Sequence, residues 1–216
     1  MKILIFGDSN TWGYDPLTGD RQSKRFVDLL QAKHPEWTIQ DNGQNGRLFF
    51  SPFPFFGDID GSKQIARFLR QEAPYDLVLI LLGTNDARRM FHSNLSSWLE
   101  AFKRFKAVVV QANQEIAHQT HTPIAPIVFV PPCRLPAAQD ILDKTGLETM
   151  GESGRLIVEN SEGAMREALH EDNVQVLSTP SFLGGRMDGI HLDAPGHQAM
   201  ADFLEQAILK ICCNSF

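Results

Sequence analysis

Five short apolar runs, KILIF (2–6), WTIQ (37–40), DLVLILL (76–82), APIVFV (125–130) and VQVL (174–177), are separated by stretches whose apolar residues recur at helical spacing. This alternation narrows the fold more than any other feature of the chain. The third and fourth runs are nearly continuously apolar, as expected of strands covered on both faces. Between them, Leu95, Trp98, Leu99, Phe102, Phe105, Val109 and Ile116 form one stripe over 95–116, with Asn94 available as an N-cap. Met200, Phe203, Leu204, Ala207, Ile208 and Ile211 form another, opened by Asp193 and Pro195. Shorter helical patterns lie at 24–33, 63–72 and 153–169. Strand and helix in turn predict an α/β fold with a mostly parallel sheet and right-handed crossovers, in one domain over 1–216.

Composition removes several function classes. A net charge of −6, with no basic run longer than Arg88-Arg89, argues against a nucleic-acid partner. No stretch approaches the roughly 18 apolar residues of a membrane span, and the four apolar residues Ile3 to Phe6 are too few for a secretory segment. Cys133 and the adjacent Cys212 and Cys213 fit neither a zinc spacing nor a disulfide framework. A water-soluble, cytoplasmic chain is the expectation.

Parallel sheets place ligands beyond the carboxyl ends of their strands, which directs attention to GDSN after the first run, DNGQNGR after the second, GTND after the third and MDGIH after the last. A serine hydroxyl becomes a useful nucleophile only beside a base, and the base needs a third group to set its tautomer. Ser9 supplies the hydroxyl, His191 the imidazole, and Asp188, three residues earlier, the carboxylate. Acyl transfer also needs donors aimed at the developing oxyanion. The backbone N–H groups of Ser9 and Gly46 and the amide of Asn85 are the candidates, and glycine at 46 permits a positive φ and close backbone approach.

The blocks GDSNTWG, NGQNGR, LGTND and DGIH, in this order, resemble those of the SGNH (GDSL-type) hydrolases, and most of all their arylesterase and acyltransferase branch. The resemblance runs from residue 3 to about 205. It implies a three-layer α/β/α flavodoxin-like fold with a five-stranded parallel sheet of order 2-1-3-4-5. It implies Ser9 as nucleophile, His191 as base and Asp188 as its partner, with Ser9, Gly46 and Asn85 as the oxyanion hole. The implied reaction is ester hydrolysis through an acyl-enzyme, with transfer to a small alcohol as a variant and without metal or organic cofactor. The partner is then a small ester, with deacetylation of a carbohydrate as the alternative, and a homo-oligomer follows from the branch.

Two features depart from the pattern. Asn10 stands where the short name of the family has leucine, and LFFSPFPFFG (48–57) follows Arg47 where relatives carry small hydroxyl residues. Pro52 and Pro54 make this stretch a loop, whose aromatic residues read as core, pocket wall or subunit contact. Asn10, Trp12, Phe49, Phe50 and Phe53 are the candidate pocket residues. Residues 134–154 exceed the usual connection length and are a second candidate wall or lid.

Other conspicuous side chains have plainer readings. His197 reads as a packed helical histidine, and His118 and His121 as helix-end residues favoured by the dipole. Asp8 and Asp86 read as acceptors of backbone N–H bonds in strand-to-helix turns. A phosphate-cradling module is disfavoured because a Walker-type lysine and a Gly-x-Gly-x-x-Gly motif are both missing. A metal-dependent phosphoesterase built on Asp8, Asp188 and His191 is the other rival, and it would be sensitive to chelators.

Overall fold

A computed structural model describes residues 1–51, 58–137, 140–178 and 187–213. Five strands, β1 (Lys2–Gly7), β2 (Thr38–Gly43), β3 (Leu77–Leu81), β4 (Ile127–Val130) and β5 (Val174–Val176), form one sheet of order β2-β1-β3-β4-β5. Every pairing in it is parallel. The short α1 (Ser9–Trp12) follows β1; α2 (Phe26–Lys33) and α6 (Ala194–Cys213) cover one face, and α3 (Gly61–Glu72), α4 (Leu95–Thr120) and α5 (Thr145–Glu167) cover the other.

Strand residues alternate between the two layers, as the pleat demands. Leu4, Phe6, Val78, Ile80, Ile127 and Phe129 pack under α3, α4 and α5, whereas Ile3, Ile5, Leu77, Leu79, Val128 and Val130 pack under α2 and α6. This double burial is why β3 and β4 read as unbroken apolar runs. β2 lies at the sheet edge, has no buried residue, and is built from TIQDNG. It therefore extends three residues beyond the apolar run that announced it, because pairing with β1 and not apolar burial holds it.

α5 begins well before the expected 153, taking in the second half of the long connection. Glycines at 146, 151 and 154 lower its intrinsic propensity, and Gly151 breaks the helical dihedrals at φ 65° and ψ −176°. Packing overrides propensity: Leu147, Met150, Ile157, Val158 and Met165 are all buried. Among the described residues no helix is long and apolar enough to cross a membrane.

The strand order reverses between β1 and β3, on either side of which the chain leaves the sheet in opposite directions. Such a switch point opens a crevice at the carboxyl ends of the strands. The loops after β1 and β3 border it directly, and they carry Ser9 and Asn85.

Candidate active site

Ser9 is the first residue of α1, and the preceding Asp8 caps that turn by accepting the N–H of Asn10 at 3.0 Å. The N–H groups of a first helical turn have no partner within the helix. Gly13 ends the turn in the left-handed region at φ 86°.

Ser9 Oγ lies 2.9 Å from Nε2 of His191, and Nδ1 of His191 lies 2.6 Å from Oδ2 of Asp188. The other carboxylate oxygen of Asp188 accepts the backbone N–H groups of Ile190 at 3.0 Å and His191 at 2.9 Å. This carboxylate is thus locked in a turn of its own making. Burial pushes the Asp188 carboxyl up, but the hydrogen bond and charge of His191, with the two backbone donors, outweigh it and hold the pKa below the usual value. An ionised Asp188 can only accept, so it places the ring proton on Nδ1 and leaves Nε2 to receive the Ser9 hydroxyl. The ring of Tyr14 lies 4.6 Å from that of His191, centroid to centroid, and limits its tilt.

The DGIH turn is far from Ser9 in sequence, and Asn10 ties the two together. Its Nδ2 donates to the carbonyl of Ile190 at 3.2 Å, and its Oδ1 accepts the N–H of Leu192 at 2.9 Å. Asn10 is buried and does not border the cleft, so its expected place in the pocket wall is corrected: its Nδ2 and Oδ1 are each turned to backbone.

Asn85 begins a 3₁₀ turn after β3, and its Nδ2 donates to the carbonyl of Arg47 at 3.1 Å. The amide carries a second hydrogen, left for a group in the cleft. Arg47 is itself a buried strut, bonded to the carbonyls of Gly7 and Asn42 and to the side chains of Asn42 and Gln64, with its guanidinium 3.9 Å from the centre of the Phe6 ring. Burial lowers its pKa to about 10, still far above neutral pH. Gly46 has φ 75°, a conformation that a side chain would strain.

Ser9, Gly46, Asn85, Asp188 and His191 all border one cleft of about 290 Å³. Its remaining wall comes from Tyr14, Pro16, Asn45, Thr84 and Arg88 and from the start of α5, where Thr145, Gly146, Thr149 and Met150 face it. The long connection therefore does form a wall, as a helix end.

The aromatic wall expected from the loop after Arg47 is not where the described part of that loop lies. Phe49 is wholly buried in the core, against the rings of Trp98, Phe102 and Phe105. Phe50 packs on the same cluster, 4.7 Å from the Arg104 guanidinium. Trp12 faces Tyr14 and Arg21 rather than the cleft. Phe53 lies outside the described residues.

Tyr14, Asn45, Arg47, Arg88 and Thr149 are neighbours of the site that the sequence reading passed over. Asn45 and Arg47 flank Gly46, and Arg88 follows GTND by two residues, so proximity to the motifs was the available signal.

Two buried carboxylates underlie the cleft. Desolvation raises the pKa of Asp8, and it raises that of Asp86 to about 8. Asp86 accepts the N–H of Phe49 at 3.0 Å through one oxygen, and the other has no partner among the described residues. His197 is buried, accepts the N–H of Phe26, and is brought down to about 4 chiefly by desolvation. Among the described residues no group of three or more His, Cys, Asp or Glu side chains could hold a metal ion.

No curated protein matches the chain. Solved structures do. Est24, a carbohydrate acetylesterase from Sinorhizobium meliloti, superposes with a TM-score of 0.81 at 22% identity, over 97% of this chain and 99% of that one. The aryl esterase of M. smegmatis gives 0.80 at 22% identity, over 97% and 98%. A lipase/acylhydrolase from Enterococcus faecalis gives 0.62 at 18%, over 96% and 94%. At these identities the likeness concerns the fold. The sequence profile of the GDSL-like lipase/acylhydrolase family matches residues 5–199, from the strand before Ser9 to beyond His191, and the chain belongs to this family of ester hydrolases.

Proposed function

We propose that the chain hydrolyses small esters, with short acyl or aryl groups, through an acyl-enzyme at Ser9. The observation that carries this reading is the chain of contacts from Ser9 Oγ to His191 to Asp188 at 2.9 and 2.6 Å, opening on a cleft. His191 takes the hydroxyl proton as Ser9 Oγ bonds to the ester carbonyl carbon. The resulting oxyanion faces the N–H groups of Ser9 and Gly46 and the free hydrogen of the Asn85 amide. Collapse breaks the bond to the alkoxy oxygen, which leaves with the proton from His191. Water, or a small alcohol, then repeats the cycle on the acyl-enzyme and frees Ser9.

A second reading, deacetylation of a carbohydrate, is favoured by the lining itself. Asn45, Thr84, Thr145 and Thr149 offer hydroxyl and amide groups to a polyhydroxy alcohol portion. The two readings share the chemistry and differ in the leaving group.

Steady-state hydrolysis of p-nitrophenyl esters from acetate to long-chain acyl, with acetylated xylose in parallel, tests both. Hydrolysis that requires Ser9, ignores chelator and falls with acyl length is expected. Activity that survives Ser9→Ala, or vanishes with chelator, would remove the serine mechanism.

A further inference from the structure

The scaffold of the site pairs its buried arginines fully. Arg25 binds the carboxylates of Asp28 and Asp41, and Arg47 is wrapped in carbonyl and amide oxygens. Arg88 is built differently. It directly follows the 3₁₀ turn Asn85–Ala87, and its backbone N–H donates to the carbonyl of Asn85 at 3.1 Å. Its position is therefore coupled to that of the candidate oxyanion donor. The side chain is half-buried and borders both the Ser9 cleft and an adjoining hollow lined by Arg89, Met90, His92, Glu148 and Thr149.

Three carboxylates line the cleft or the hollow with it, and none forms an ion pair with it among the described residues. Asp188 is engaged by His191 and two backbone N–H groups. Asp143 accepts the N–H of Thr145 at 3.0 Å and its hydroxyl at 2.5 Å. Glu148 shares the hollow and lies beyond the 4.0 Å of an ion pair. A permanently charged, planar fork at the rim of a cleft, without a counter-ion, is suited to a planar carboxylate on a ligand.

We propose that Arg88 is a specificity-determining residue, and that the preferred substrates are esters bearing a carboxylate a few bonds from the scissile carbonyl. This deepens the ester-hydrolase reading of the same cleft and rests on it. Asn85 and Arg88 line the same cleft, so an ester whose carbonyl is held at Asn85 can carry a carboxylate toward the cationic rim.

Two matched pairs test the inference: mono-p-nitrophenyl glutarate against its methyl ester, and 3-acetoxybenzoate against its methyl ester. The first pair puts the carboxylate on the acyl side, the second on the alcohol side. In at least one pair the wild type is expected to favour the anionic ester in kcat/KM by about tenfold, the worth of one charge-assisted hydrogen bond in a half-open site. Arg88→Gln abolishes that ratio, Arg88→Lys keeps part of it, and added salt weakens it wherever the cation remains. Equal rates within both pairs, or a preference that survives Arg88→Gln, overturn the inference, while Ser9-dependent turnover of the neutral esters leaves the hydrolase reading standing. Absence of Ser9-dependent turnover on all four esters overturns the hydrolase reading, and the inference with it.

Discussion

Gly146, at the start of α5, lies so close to Asp188 that a Cβ on it would stand 2.1 Å from the backbone oxygen of Asp188. The helix that walls the cleft is thus seated directly on the turn that presents the carboxylate to His191. Gly146→Ala has backbone to displace, not a flexible side-chain end, and overpacking of this kind costs about 1–3 kcal/mol. We expect a lower Tm and a reduced kcat together, since Asp188 moves with its carbonyl. A variant with wild-type Tm and kcat would show that the two elements are not coupled.

Asn85→Ala removes a donor to the developing oxyanion, and is expected to lower kcat by about 10² to 10³ with a small change in KM. Asp188→Asn leaves the turn nearly isosteric but disturbs the tautomer of His191, and its loss in kcat is set at about 10² to 10⁴. Kinetics with p-nitrophenyl acetate measure both. Rates within a factor of three of wild type would dismiss the role assigned to the residue changed.

Among the described residues the side chain of Asn10 hydrogen-bonds to backbone alone, at Ile190 and Leu192. Asn10→Ala is expected to cost kcat about 10- to 100-fold by loosening the placement of His191 against Ser9, a misplacement effect that leaves KM nearly unchanged. Asn10→Asp keeps the volume and the acceptor for Leu192 but turns a carboxylate oxygen toward the Ile190 carbonyl, so its rate should fall at least as far. A loss of kcat in Asn10→Asp distinguishes positioning from packing, because a loss of packing alone would spare the nearly isosteric aspartate.

Asp86 and His197 tilt stability in opposite directions with pH. The folded-state pKa of Asp86 is raised from 3.8 to about 8, so the folded chain binds the extra proton between these values. Its contribution is intact below about pH 4 and declines as pH climbs through 8. Asp86→Asn mimics the protonated form, and its stability relative to wild type is expected to rise across that window in denaturant titrations. A flat difference would contradict an uncharged Asp86.

The folded-state pKa of His197 is depressed from 6.5 to about 4, so its contribution is present above pH 6.5 and is lost as pH falls toward 4. Replacing it with Gln, which cannot take up a proton, is expected to flatten that decline by about 1–3 kcal/mol between pH 6.5 and 4. Chemical denaturation at several pH values decides, and identical acid slopes for the two proteins would refute the assignment.

What the sequence by itself determined is what depends on local pattern. Double-sided burial writes continuous apolar runs at β3 and β4, one-sided burial writes helical stripes over α4 and α6, and strand ends in a parallel sheet are where loops can meet. From these, and from a family resemblance in four blocks, came the sheet, its order and the groups Ser9, Asn85, Asp188 and His191, which the structure does bring to one cleft. Tertiary structure alone decided the rest. Phe49 went to the core because three rings from α4 were there to receive it. Asn10 became a strut because Ile190 and Leu192, remote in sequence, lay within reach of its amide. The glycine-bearing start of α5 became a helix and a cleft wall because packing against the DGIH turn outweighed weak propensity. Periodicity records which face of an element is dry; it carries no record of which distant residue will stand opposite.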